Sequence, residues 1–222
     1  MAQEIKNENA EVVAEAVSKT EIFFKENKII LLVSLGVLVA LCAGLFCWYK
    51  FSYQPRRTEA LAQMYPAEAN FRNMEYELAL NGDGNVLGFA QIIEDYGAKA
   101  GKAVYFYAGV CELRLGNYEN AVSYLEKYKG KDKILAARAL ACTGDAYTGL
   151  GEYGKALKYF EKAAAKSDNM FSAAYLLKAG VVCEELGQNE KALGFYKEIK
   201  DKYPQSMEGY DIDKYISRIE AK

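Results

Sequence analysis

One pattern occurs three times along the chain: LRLGNYENAVSYLEK (Leu113–Lys127), TGLGEYGKALKYFEK (Thr148–Lys162) and EELGQNEKALGFYKE (Glu184–Glu198). Each copy has a glycine directly after a leucine and an alanine five residues beyond that glycine. Successive copies are 35 and 36 residues apart. A period of this length predicts stacked units of two helices each, so we expect an all-α repeat domain.

The matched small residues fit hairpins of closely packed helices. The first helix of each pair contains a glycine in its interior: Gly109, Gly144 and Gly180. Glycine at such a position costs about 1 kcal/mol of helix stability relative to alanine. That cost is explained if the second helix crosses so closely that a β-carbon would clash. The glycines after the leucines are expected to be left-handed C-caps: Gly116, Gly151 and Gly187. The second helices then pack through Ala121, Ala156 and Ala192, with Leu125, Phe160 and Tyr196 filling the space between helices.

Residues 102–204 resemble the tetratricopeptide repeat (TPR) family. The middle unit carries the most family positions: Gly144, Tyr147, Gly151, Tyr153, Ala156, Phe160 and Ala163. The other units depart from the family at packing positions: Glu112 and Tyr128 in the first, Cys183, Asn189 and Ile199 in the third. The resemblance implies a solenoid of helical hairpins whose first helices line a concave face that binds peptides or partner domains. Residues 205–222 are predicted to form a capping helix at its end.

The resemblance also implies which residues bind a protein partner on the concave face. They are Ala103, Phe106, Val110, Arg114, Arg138, Ala141, Asp145, Leu177, Val181 and Glu184. The set mixes apolar side chains with both signs of charge, which favours an extended peptide or a helix over the carboxylate clamp of chaperone-tail binders. The alternative is that the solenoid's own ends, after Pro66 or after Pro204, cover some of the apolar members.

Residues 50–101 are interpreted as a linker followed by a degenerate first repeat. Tyr76 and Ala79 match Tyr118 and Ala121 of the first repeat. The matched tyrosines are 42 residues apart instead of 35, so residues have been inserted between them. The inserted sequence is NGDGN at 81–85, which we interpret as a plain turn between helices. A calcium-binding loop is the weaker alternative, because Ile92 occupies the twelfth position, where such a loop needs a carboxylate.

An apolar segment, IILLVSLGVLVALCAGLFCWY (Ile29–Tyr49), precedes the repeats and contains no charged residue. As a helix its 21 residues would extend about 31 Å, which matches the hydrocarbon core of a bilayer. The apolar stretch runs past any plausible cleavage site, and no small residue precedes Cys42 or Cys47 as a lipoprotein signal requires. We therefore predict an uncleaved transmembrane helix at residues 29–49.

The residues around this segment do not decide its orientation. Three basic residues lie close to it on each side: Lys19, Lys25 and Lys28 before it, Lys50, Arg56 and Arg57 after it. Positive charge on the cytoplasmic side normally sets topology, and here the two sides are equal. Residues 8–27 have apolar positions at helical spacing and are either an amphipathic helix or a weakly ordered lead-in.

A membrane span followed directly by TPR-like repeats resembles a narrower family, the YfgM-like ancillary subunits of the bacterial Sec translocon. The resemblance implies a cytoplasmic segment at residues 1–28 and periplasmic repeats on the outer face of the inner membrane. It also implies protein partners: translocon subunits, periplasmic chaperones or emerging polypeptides, for which the chain would be a scaffold or co-chaperone. The alternative is an envelope-complex assembly factor with the same architecture and another partner.

The composition argues against several other functions. The chain has no histidine, which removes the commonest general base and the commonest metal ligand, so we expect neither an enzyme nor a cofactor or metal site. Its five cysteines include no CxxC pair, and Cys111, Cys142 and Cys183 are interpreted as packing residues. The formal net charge of -2 gives no indication of nucleic-acid binding.

Overall fold

A computed structural model describes residues 23–166 and 168–221 of the chain. These residues form helices and turns with no β-strand, as the all-α prediction requires. They divide into two compact units that meet in the sequence between Pro55 and Arg56. The predicted amphipathic segment falls mainly on residues 1–22, which lie outside the described residues.

The first unit contains the apolar segment as helix α1, Lys28–Trp48, followed by a π-helical turn at Tyr49–Tyr53. None of the side chains of α1 is buried. Among the described residues, one helix (Lys28–Arg72) is long and apolar enough to cross a membrane. The π turn directly precedes Pro55, whose ring lacks an N–H and would clash with the carbonyl four residues earlier. A wider turn at this point is the usual way for a helix to pass a proline.

The segment after residue 50, which we predicted to be a linker, is helical. Helix α2 is Gln54–Arg72, and it contains Pro66 instead of beginning after it. Ala60, Met64 and Ala67 of α2 are buried. They recur at intervals of three and four residues, which is the spacing of one helical face.

The degenerate repeat consists of two short helices joined by the inserted turn. Helix α3 is Tyr76–Asn81 and helix α4 is Phe89–Tyr96, with a short 3₁₀ turn at Gly97–Ala100 after it. The Asp83 carboxylate accepts the backbone N–H groups of Asn85 and Val86 at 2.9 Å, and these bonds lower its pKa. These bonds are those of an Asx turn, a detail that the prediction of a plain turn did not include. Across the described residues, no three His, Cys, Asp or Glu side chains are grouped to hold a metal ion.

Three helical hairpins and a final helix follow. The bounds of these helices are α5 Ala103–Arg114 and α6 Tyr118–Lys127, α7 Lys133–Gly149 and α8 Tyr153–Lys166, then α9 Ser172–Glu185 and α10 Asn189–Lys202, and α11 Met207–Glu220. Helix α11 buries Ile212, Ile216 and Ile219 against the third hairpin, as a capping helix should. The Ser206 hydroxyl begins this helix by accepting the N–H of Gly209 at 3.0 Å.

The predicted close approach within each hairpin is confirmed. A β-carbon placed on the glycines of the first helices would lie 2.6 Å from Leu125 at Gly109, 2.6 Å from Phe160 at Gly144 and 2.2 Å from Tyr196 at Gly180. Each of these distances is well below an ordinary carbon–carbon contact of about 3.5–4.0 Å. The alanines facing them on the second helices, Ala121, Ala156 and Ala192, are fully buried.

The predicted left-handed C-caps are also confirmed. The φ angles of Gly116, Gly151 and Gly187 are +83°, +73° and +70°. At the first of them, the N–H of Asn117 donates to the carbonyl of Glu112 at 2.9 Å, which closes a Schellman motif. The side chain of Asn117 also donates to the Glu112 carboxylate at 2.8 Å, so this buried departure from the repeat pattern has a polar partner.

The first helices of the first two hairpins are each shared between successive hydrophobic cores. Helix α5 places Val104 and Cys111 in a core with α2, α3 and α4, but Phe106 in the next core with α6 and α7. Helix α7 in the same way divides its alanines between the second core and the third, which α8 to α11 complete. Burial raises the pKa of the Cys111 thiol to about 12, as expected for a cysteine that only packs.

Candidate protein-binding surface

The ten residues predicted to bind a partner lie on helices α5, α7 and α9, the first helices of the hairpins. We call the side of these helices that carries them the inner face. Helix α5 contacts α7, and α9 contacts α11, so the first helices and the capping helix form neighbouring rows. The structure does not leave all ten side chains accessible.

Three of the ten belong to the hydrophobic core, and the prediction that a partner can reach them is wrong. Phe106, Val110 and Ala141 are 3%, 5% and 3% exposed. The ring of Phe106 packs against that of Tyr128, with the centroids 6.0 Å apart. The physical reason is that α5 and α7 each pack against two hairpins. Side chains on the face of the helix that meets the next hairpin are therefore buried and do not reach solvent.

The other seven side chains retain some exposure. Ala103, Asp145, Leu177 and Glu184 are partly buried, and Arg114, Arg138 and Val181 are exposed. Leu177 borders a depression of about 150 Å³ whose opposite wall is formed by Met207 and Tyr215 of α11. The capping helix therefore narrows this end of the inner face without covering Val181.

Both acidic members of the set are already paired within the protein. The Asp145 carboxylate accepts two hydrogen bonds from Lys178 Nζ, at 2.8 and 2.7 Å, and so ties α7 to α9. The Glu184 carboxylate accepts the Tyr196 hydroxyl at 2.7 Å and the Arg218 guanidinium at 2.5 Å. Burial and the bond to Glu184 raise the pKa of Tyr196 above its usual range, so its hydroxyl stays a donor.

The basic members are not paired in this way. Within residues 23–166 and 168–221, Arg114 and Arg138 form no ion pair. Both lie near Cys142: burial and Asp145 raise the pKa of its thiol to about 11, and the two guanidinium groups oppose that increase. Since the acids are neutralised internally, the charge that the inner face offers to a partner is positive.

Two tyrosines that the sequence prediction missed are close enough to Arg138 to respond to its charge. Tyr107 and Tyr175 are largely buried; burial raises the pKa of each hydroxyl, and the nearby charge of Arg138 lowers it. The charge of Arg138 therefore acts on a tyrosine of α5 and on a tyrosine of α9. The repeat period could have shown that Tyr107 is equivalent to Cys142 and Lys178 of the later repeats. The three residues are spaced 35 and 36 residues apart, as the glycines are.

This arrangement suits recognition of a polypeptide. Arginine guanidinium groups bind carboxylates with two parallel hydrogen bonds, and Leu177 and Val181 offer apolar contact one helix further along. Tyrosine and arginine are the residue types that contribute most to protein interfaces.

Comparison with known proteins agrees with the repeat geometry. Two family models described as Tetratricopeptide repeat match the chain, one over residues 103–132 and the other over residues 135–206. No curated protein matches the chain. The two matched stretches cover all three helical hairpins, so the chain contains tetratricopeptide repeats.

Proposed function

We propose that this protein is a membrane-anchored scaffold that binds a segment of a partner protein on the inner face of its repeats. The observation that carries the proposal is that Arg114, Arg138 and Val181 are exposed on a repeat surface and do not contribute to its core. Solenoids of this kind present such surfaces to peptides and to partner domains.

The expected ligand is an extended or helical segment with an apolar side chain near Leu177 and Val181 and a carboxylate near the two arginines. From the sequence, the mixed charges of the ten residues argued for no preference in sign. Asp145 and Glu184 are occupied by Lys178 and Arg218. The remaining charge favours a partner segment that is acidic.

The proposal also covers the location of the protein and the identity of its partner. The apolar helix α1 supports a single-pass protein of a bacterial inner membrane. The resemblance to YfgM-like proteins supports a cytoplasmic N-terminus, periplasmic repeats and work as a co-chaperone with translocon subunits, periplasmic chaperones or emerging polypeptides. An envelope-complex assembly factor is the alternative, and it differs only in the partner.

Photo-crosslinking in native membranes tests the proposal. A photoreactive amino acid replaces Val181 in the full-length chain, and the matched control carries it at Glu119, an exposed position on the second helix α6. Mass spectrometry then identifies the crosslinked protein. We expect a translocon subunit, a chaperone or a nascent polypeptide at Val181 and none at Glu119; an envelope assembly protein at Val181 supports the alternative. Equal crosslinking at the two positions, or none at either, contradicts binding at the inner face.

A further inference from the structure

A second depression lies away from the inner face, between the C-terminal ends of α6 and α8 and the first half of α7. We call it the edge pocket; its volume is about 570 Å³. Its floor includes Leu125 and Ala139, which are buried, and Leu140, which is partly buried. This volume lies within the range of protein sites that bind small ligands or single peptide side chains.

The rim of the edge pocket is basic. Lys129, Lys162 and Lys166 line it with exposed side chains, and Glu126 is the acidic residue beside them. The Glu126 carboxylate is engaged by the Tyr159 hydroxyl at 2.5 Å. In the part of the chain that the structure describes, the three lysines form no ion pair. Three ammonium groups and one carboxylate therefore surround an apolar floor, so the rim carries a net positive charge.

The next repeat has an equivalent depression with the opposite charge, which we call the distal pocket. Its volume is about 330 Å³. Where the edge pocket has Lys129 and Lys162, the distal pocket has Ala164 and Glu198, at spacings of 35 and 36 residues, whereas Lys166 has a lysine counterpart, Lys202. Its acids are already occupied: Glu161 pairs with Lys191 at 2.7 Å, and Glu198 pairs with Lys202 at 2.8 Å.

Comparing the two pockets distinguishes residues that the fold requires from residues that occur only in the edge pocket. The same three-helix junction forms in both repeats, so Lys129 and Lys162 of the edge pocket are not needed to build it. Like charges held together without partners repel one another and contribute nothing to stability. An unpaired cationic rim over apolar atoms instead favours a ligand that brings both negative charge and apolar surface.

We propose that the edge pocket binds a segment of a partner protein in which carboxylates flank a small apolar side chain. The carboxylates would lie against Lys162 and Lys166, and the apolar side chain against Leu125 and Leu140. The apolar floor argues for a polypeptide over inorganic phosphate, which would gain nothing from it. The site extends the proposed scaffold function with a second surface, built largely from second helices, that does not include Val181 or the inner-face arginines.

The test is selection of a random peptide display library on the purified full-length chain in detergent. One variant carries Lys162→Glu and Lys166→Glu. The control carries Lys133→Glu and Lys158→Glu, two exposed lysines that do not line the edge pocket, and has the same change in net charge. Urea unfolding confirms that both variants fold.

We expect the unaltered chain to select peptides that combine Asp or Glu with Leu, Val or Ala. The affinity of these peptides should fall by at least about tenfold in the pocket variant, as expected when two close charge pairs are reversed, and stay within about twofold in the control. Loss of the acidic preference in both variants, or in neither, overturns the proposal.

A lipid headgroup is the other source of negative charge, and it is tested separately. The chain is incubated with phosphatidylglycerol vesicles and with inorganic phosphate. If these displace the selected peptides, or bind with the same dependence on Lys162 and Lys166, the pocket is an anion site and the peptide proposal is overturned. None of these outcomes changes the crosslinking expected at Val181, so the two proposals fail independently.

Discussion

Replacing Gly144 with alanine tests how closely the two helices of the second hairpin approach each other. The new methyl group would lie 2.6 Å from Cε1 of Phe160. The ring cannot swing into solvent, because Phe160 is 2% exposed. Moving it to an ordinary contact distance means a shift of about 1 Å inside a packed core, and overpacking of this kind costs about 1–3 kcal/mol.

A second glycine provides the matched control. Gly194 lies in the middle of α10, and a β-carbon there would meet no atom within 4 Å. Both substitutions gain the same helix propensity, about 1 kcal/mol. The difference between the two variants therefore isolates the packing cost, which we expect to be about 1–3 kcal/mol. Gly194→Ala alone should be more stable than the parent by up to about 1 kcal/mol.

The free energy of unfolding is measured for the full-length chain in detergent, by urea titration followed by circular dichroism. An unchanged m-value shows that the comparison is one of stability. If Gly144→Ala is as stable as Gly194→Ala, the helices do not cross closely, and the reason given for all three first-helix glycines fails.

Three further changes have defined outcomes. Met74 has a φ of +65° and is 73% exposed, so Met74→Gly should stabilise by about 1 kcal/mol in the same titration, whereas Met74→Ala should not. The Cys111 thiol has a pKa raised from 9.0 to about 12 by burial; the unfolded thiol ionises first, so stability should fall as pH rises from 9 towards 12, and less steeply for Cys111→Ala. Alkaline carbonate should leave the chain with membranes, and a Met170→Cys probe in a Cys142→Ala background should react with an impermeant thiol reagent in intact spheroplasts. Release by carbonate would contradict the anchor, and reaction only after lysis would reverse the topology.

The features that recur with the repeat period could be predicted from the sequence. The glycines at close crossings, the glycine C-caps and the capping helix depend on local geometry that one residue type satisfies, so pattern alone identifies them. The path of the chain before the repeats was harder to predict. Pro66 indicated a helix boundary, yet α2 passes through it, because packing of Ala60, Met64 and Ala67 outweighs the loss of one backbone hydrogen bond.

The inner face was predicted only in part, since neighbouring residues on a helix point about 100° apart. Phe106 was placed on the inner face and is buried, whereas Tyr107, the next residue, is partly exposed. Which of these two side chains faces outward depends on how the next hairpin packs against α5. The periodicity of a single helix does not predict that packing.

The ion pairs between repeats were also missed, although they follow a regular spacing. Lys178 bonds to Asp145 across 33 residues, and Arg218 bonds to Glu184 across 34. The first bond joins an acid of the second hairpin to a lysine of the third, and the second joins an acid of the third hairpin to an arginine of the capping helix. These bonds remove the negative charge from the inner face, and they are the reason that its expected partner is acidic.

The most direct test of the scaffold proposal is the amount of partner crosslinked at Val181 when the inner-face arginines are reversed. The variant carries Arg114→Glu and Arg138→Glu, and the control carries Lys131→Glu and Lys158→Glu, which are exposed and lie off the inner face. Both should fold with unchanged urea midpoints, because none of the four side chains is buried. We predict that crosslinked partner falls by about tenfold or more in the arginine variant and stays within about twofold in the control. Equal recovery from both variants would show that the inner face does not bind the partner.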